Sequence, residues 1–183
     1  EDALDLNNKL LHKFYDRDKG GCFLYASDSE QLIMRPKETY DGAMPSGNSV
    51  CAYNFEVLAK LTGDPKLERL AAEQLNFMAG YMENYAAGYS FGLMAVMRAL
   101  YLARQIVCVV KDEADLAKVK AVLHNKFTPN TVTLVKQTGL SLKGIAGYAE
   151  AYKLKNGLTT FYVCEGNTCS EPFTGLEKLR EIL

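Results

Sequence analysis

The sequence predicts a mixed α+β protein in which helical hairpins are followed by a small α/β unit with a short, mainly parallel sheet. Three observations predict it. Apolar residues recur at helical spacing from Val50 to Met82, with one break at Gly63-Asp64-Pro65. After Ala103 the pattern changes to an apolar strand run, an amphipathic helix and a second strand run. The chain has 183 residues, 48% of them hydrophobic, which is long enough to bury a core. The change of pattern divides the chain into a helical part, residues 1–104, and an α/β tail, residues 105–183.

The first helix is predicted from Asp2 to Tyr15, where Ala3, Leu6, Leu10, Leu11 and Phe14 fall at helical intervals and Asp2 and Asp5 complement the N-terminal dipole. Asp16 to Gly21 is a turn, and the short apolar pieces Cys22–Tyr25 and Gln31–Met34 are expected to pair as a hairpin. A Pro-Ser-Gly-Asn-Ser run at residues 45–49 then leads directly into a helix whose rows Val50/Asn54/Val57/Leu61 and Cys51/Phe55/Leu58 give a broad buried face. Gly63 ends it. Asp64 is placed to cap the next helix, with Pro65 at its first position and Leu67, Leu70, Ala71, Leu75, Met78 and Met82 as its stripe.

A helix from Tyr89 to Ala103 is apolar nearly all round, with Arg98 as its only charge, and is expected to be covered on several sides. Gln105–Val110 and Thr131–Val135 read as parallel strands joined by a helix over Asp112–Lys126. Leu158–Cys164 reads as a third strand, and Thr174 with Glu177 as a capping box before a last helix.

Composition excludes several function classes. The 21 basic and 22 acidic residues leave a net charge of −1 and no electrostatic footprint for nucleic acid or an anionic membrane. No stretch approaches the length of a membrane span. Five isolated cysteines, an odd number, fit reduced thiols in a cytoplasmic protein. The chain begins at Glu1 and reads as a fragment.

Several segments together carry a resemblance: Gly20–Tyr25, Tyr40–Asn54 (YDGAMPSGNSVCAYN), Leu61–Asp64, Gln105–Val110 and Tyr162–Pro172. Their order and content resemble the large thioredoxin-domain-containing family related to spermatogenesis-associated thioredoxin-like protein. The resemblance implies that the helical part is the end of an α/α toroid like that of N-acylglucosamine 2-epimerases and six-hairpin glycosidases. It also implies that the α/β part is a tail and that a thioredoxin-like portion is missing. Cys22, Cys51 and Lys111 depart from the pattern, where an aromatic, an alanine and a glycine are usual.

Two sets of residues are candidate sites. The helix start at Ser46, Gly47, Asn48 and Ser49, with Asp41 and Arg35 nearby, offers donors to a sugar-like small molecule; the competing reading is a cap and a packing contact. Cys164 and Cys169 read as half of a metal site, a redox pair or an ordinary turn, the last being the leading reading. No metal or cofactor is expected. The Lys111-Asp112-Glu113 start of the crossover helix lacks a phosphate loop. The two histidines assemble no acid/base pair, so catalytic residues remain unassigned and the chain alone is expected to be inert. The alternative is a non-enzymatic interaction module, with self-association expected under either reading.

Overall fold

A computed structural model describes residues 1–30, 33–101, 103–166 and 168–183. The chain forms two compact units, one of Glu1–Ala59 with Asp64–Leu100 and one of Lys60–Gly63 with Tyr101–Leu183.

The first unit is helical. Helix α1 spans Asp2–Lys13, α2 Gly47–Thr62, α3 Pro65–Asn84 and α4 Ser90–Leu100. The short α2–α3 connection works as its residues predict: Gly63 takes a positive φ of 67°, and the Asp64 carboxylate accepts from Lys66 N at 2.8 Å with Pro65 at the first helical position. Its core has three parts, one of them formed by Leu58, Ala59 and Leu67. Ala52, Met78, Met82 and Ala95 form the second, and Cys22, Cys51, Phe55 and Ala71 the third.

Between α1 and α2 the described residues form no hairpin. Cys22 instead makes a single antiparallel bridge with Tyr15, and Leu24 N donates to Pro36 O at 2.8 Å. The apolar run at 22–25 is therefore tied to the end of α1 and to the approach to α2; Gln31 and Leu32 of the expected second strand lie outside the described residues. Helix α4 also differs from expectation. Ala95 and Arg98 are buried, but Met94, Met97 and Leu100 are exposed, so it is covered on one side and open on the other. Arg98 is buried within the apolar helix, with its guanidinium 5.4 Å from the centre of the Tyr53 ring.

The second unit is a five-stranded mixed sheet with helices on one face. Strand β1 is Arg104–Val110, followed by α5, Glu113–His124, and β2, Thr131–Gln137. Strands β1 and β2 are parallel, in register from Arg104↔Thr131 to Val110↔Gln137, as the crossover between them predicts. Then come β3, Thr160–Glu165, β4, Thr168–Cys169, β5, Phe173–Thr174, and α6, Leu176–Ile182. The order is β2-β1-β3-β4, with β5 also on β3, and every pairing of β3 is antiparallel. The sheet is thus mixed and not mainly parallel: β3 reaches β1 through a segment whose one helical turn is the short 3-10 helix Gly147–Ala151, not a second α-helical crossover, which leaves an antiparallel approach open to it.

Ile106, Cys108, Val110, Phe161 and Val163 point to one face and pack with Val119 and Val122 of α5 and Leu179 of α6. The expected capping box does not form. Thr174 is drawn into β5 opposite Thr160, and Gly175, at a φ of 106°, occupies the position before α6 without a side-chain cap.

Candidate functional site

The residues singled out at the start of α2 lie together in the interior of the first unit. Ser46, Asn48, Ser49 and Asp41 are all buried, while Gly47 is exposed. Asn48 is the hub. Its Oδ1 accepts from Cys22 N at 2.6 Å and Gln74 Nε2 at 3.0 Å, and its Nδ2 donates to Cys22 O at 2.9 Å and Glu38 O at 2.6 Å. A carboxamide has two donors and room for two acceptor contacts, so every hydrogen-bonding position of Asn48 is occupied by protein.

The serines and Asp41 make a second knot. Ser46 Oγ donates to Thr39 O at 2.9 Å, lies 3.0 Å from Ser49 Oγ and accepts from Ser49 N at 3.1 Å, which is the cap expected of a serine before a helix. Asp41 Oδ1 accepts from Ser46 N at 2.8 Å, while Oδ2 accepts from Phe91 N at 2.9 Å and Gly92 N at 3.1 Å at the start of α4. Burial alone raises the Asp41 pKa. The N–H groups of Ser46 and Gly92, the Ser49 hydroxyl and the Phe91 N–H outweigh it and hold the carboxyl below its ordinary range. Asp41 therefore caps one helix with its side chain while ordering the turn that begins another.

Arg35 is not brought to this cluster. Its Nη2 donates to Lys13 O at 3.1 Å and Tyr25 O at 2.7 Å, and its guanidinium lies 4.1 Å from the centre of the Phe23 ring. Gly47 and Asn48 border a cleft of about 480 Å³ whose walls are mainly apolar, from Leu6, Leu10, Phe14, Leu24 and Val50, with Lys9 and Glu38 as its charged members.

Cys164 and Cys169 face each other across the β3–β4 pair and are joined, with S–S 2.03 Å and Cα–Cα 4.0 Å. Two of the five cysteines are therefore not reduced thiols, because the hairpin register brings them opposite each other. Cys22, Cys51 and Cys108 are unbridged and buried. The Cys22 and Cys51 sulfurs lie 3.2 Å apart; their contact and burial push the Cys51 thiol up, and burial pushes Cys108 up to about 12. Among the described residues no three His, Cys, Asp or Glu side chains cluster as metal ligands would.

Sequence reasoning missed Gln74, which is fully buried on α3 and also donates to Asn48 O at 3.1 Å. The signal was present, since Gln74 falls three residues after Ala71 and four before Met78, inside the apolar stripe.

Comparison with known proteins adds ancestry. The chain is similar to spermatogenesis-associated protein 20. The human protein is 27% identical over 189 residues, covering 99% of this chain and 24% of the human one. The rat protein is 27% identical over 98% of this chain, and the mouse protein 26% over 99%. The chain thus spans about a quarter of the length of these curated relatives. No family model and no solved structure matches it. Among the described residues no helix is long and apolar enough to cross a membrane.

Proposed function

We propose that this chain is a non-catalytic portion of a longer protein of the thioredoxin-domain family. In this reading its helical unit is the end of an α/α toroid of the N-acylglucosamine 2-epimerase and six-hairpin glycosidase kind, and it contributes packing and a docking face, not the chemistry of a carbohydrate enzyme. The carrying observation is the saturation of Asn48 by Cys22, Glu38 and Gln74. A ligand reaching that side chain would have to displace buried internal bonds, each costly to leave unmade. The run is a brace in this reading.

The similarity over about a quarter of the length of the longer relatives supports the view that further sequence shares the parent's activity. The exposed Met94, Met97 and Leu100 of α4 supply an apolar face for a helix to cover. The test is a thermal-shift screen of the chain against neutral sugars and amino sugars, repeated on Asn48→Ala. No stabilisation of the parent chain is expected; a shift lost in Asn48→Ala would replace the brace with a sugar site.

A further inference from the structure

The second unit contains a cleft of about 600 Å³ that neither the candidate site nor the proposed role uses. It is bordered by Val109 at the end of β1, Lys136 at the end of β2, and Thr138, Leu140, Glu150 and Tyr152. Parallel register places Val109 opposite Lys136, on the face of the sheet away from Ile106, Cys108 and Val110. The chain leaving β1 goes to α5, which packs on the Ile106 face; the chain leaving β2 goes to the segment whose Ala149 carbonyl accepts from Lys136, on the other face. Two adjacent parallel strands whose continuations depart to opposite faces open a crevice beyond their carboxyl ends, which is where open α/β sheets hold ligands.

Lys136 gives that crevice its chemistry. It is 6% exposed, although it carries an ammonium group. Its Nζ donates to Ala149 O at 3.1 Å and to Glu150 Oε2 at 3.2 Å. An ammonium has three N–H donors, so one is left without an acceptor among the described residues, in a side chain that lines the cleft. A buried donor left unpaired is costly, and an incoming acceptor would satisfy it. Glu150 is held ionised by the Leu142 N–H and by Lys136, and it also accepts from Ser141 Oγ at 3.3 Å. The buried cation therefore has a fixed negative neighbour, which disfavours a dianion at that ammonium, although a second cation, Lys153, also borders the cleft. Val109, Leu140, Leu154 and the Tyr152 ring supply its apolar walls, and Thr138, Ser141 and Lys153 border it as well.

We propose that this cleft binds a small organic monocarboxylate, its carboxylate on the third donor of Lys136 and its apolar body against Val109, Leu140, Leu154 and Tyr152. The test is a ¹H–¹⁵N NMR titration of the chain with phenylacetate, with benzyl alcohol as the neutral control and inorganic phosphate as the dianionic one. Saturable shifts confined to amides near residues 136–142 and 149–154 are expected for phenylacetate, with weaker or no response to the controls. Lys136→Met should weaken binding by at least about tenfold. Glu150→Gln removes the negative neighbour and should admit phosphate, a result that remains decisive if Lys136→Met does not fold. No saturable response to phenylacetate, undiminished binding in a folded Lys136→Met chain, equal binding of phosphate by the parent chain, or no gain of phosphate binding in Glu150→Gln would each overturn the assignment.

Discussion

Asn48 and Cys22 are joined twice: the Asn48 side chain accepts from the Cys22 N–H at 2.6 Å and donates to the Cys22 carbonyl at 2.9 Å. This is the pairing one strand residue offers another, here supplied by a carboxamide on a helix. Asn48→Ala removes it and also leaves Glu38 O and Gln74 Nε2 without that partner. A loss of about 3 kcal/mol is expected from several buried groups left unmade. Urea unfolding should show it as a lower midpoint at unchanged slope.

The Asp41 carboxylate makes the first unit sensitive to acid. Its folded pKa lies below its unfolded value, so the unfolded chain binds more protons in the window between them. The stabilisation is fully present above the unfolded value of about 3.9 and is lost as pH falls through the folded one. Asp16 acts in the same direction: the Lys37 ammonium, aided by the N–H groups of Lys19 and Asp18, holds it down to about 2. Asp41→Asn should be less stable than the parent near neutrality, and the gap should narrow on acidification. A gap constant with pH in urea titrations would refute the assignment.

The cysteines should report in two classes. Iodoacetamide should label none of Cys22, Cys51 and Cys108 in the native chain and all three after unfolding, since each is buried and two have raised thiol pKa values. Reductant should add Cys164 and Cys169. Their bond closes a loop with a sequence separation of only 5, so reduction should cost about 2 kcal/mol, and a Cys164→Ser/Cys169→Ser chain should be insensitive to dithiothreitol.

Gly21 is required by the backbone and by packing at once. Its φ is +79°, and an added Cβ would lie 2.4 Å from the Phe77 ring. Gly21→Ala should destabilise by about 2 kcal/mol or more, read as a fall in thermal midpoint, because both the left-handed conformation and the aromatic contact are violated.

The exposed side of α4 predicts association of the isolated chain. Met94, Met97 and Leu100 are 40%, 57% and 75% exposed. With a net charge of −1 there is little repulsion to keep copies apart. Light scattering should show a mass that rises with concentration, and Met97→Lys should return it to that of one chain. A parent chain of constant single-chain mass would remove the docking face from the proposed role.

The elements with strong local signals were legible. The α2–α3 hairpin follows from helical periodicity and from Gly63, Asp64 and Pro65, and the β1–β2 pairing from two apolar runs separated by an amphipathic helix. What stayed hidden depends on contacts distant in sequence. Thr174 and Glu177 have the spacing of a capping box, but pairing with Thr160 takes Thr174 into the sheet. The 22–25 run has strand composition, yet its partners are Tyr15, Pro36 and Asn48. At the candidate site Asp41, Ser46, Asn48 and Ser49 come together while Arg35 does not, and whether a helix start faces a ligand or a neighbouring loop is a tertiary fact. Gln74 lies in an apolar stripe and turns its polar atoms inward, whereas Asn54, in the expected row of α2, is exposed.

The bridge from Asn48 to Cys22 and Glu38 couples the connection between α1 and α2 to the first turn of α2. Among its described residues the connection between α1 and α2 has almost no backbone ladder of its own, and it leans on a side chain that is correctly placed only once α2 has started to form. Opening of the first turn of α2 should then release that connection as well. The Cys22 amide should exchange its hydrogen with solvent only as rarely as the first turn of α2 opens, far more slowly than a loop amide ordinarily does.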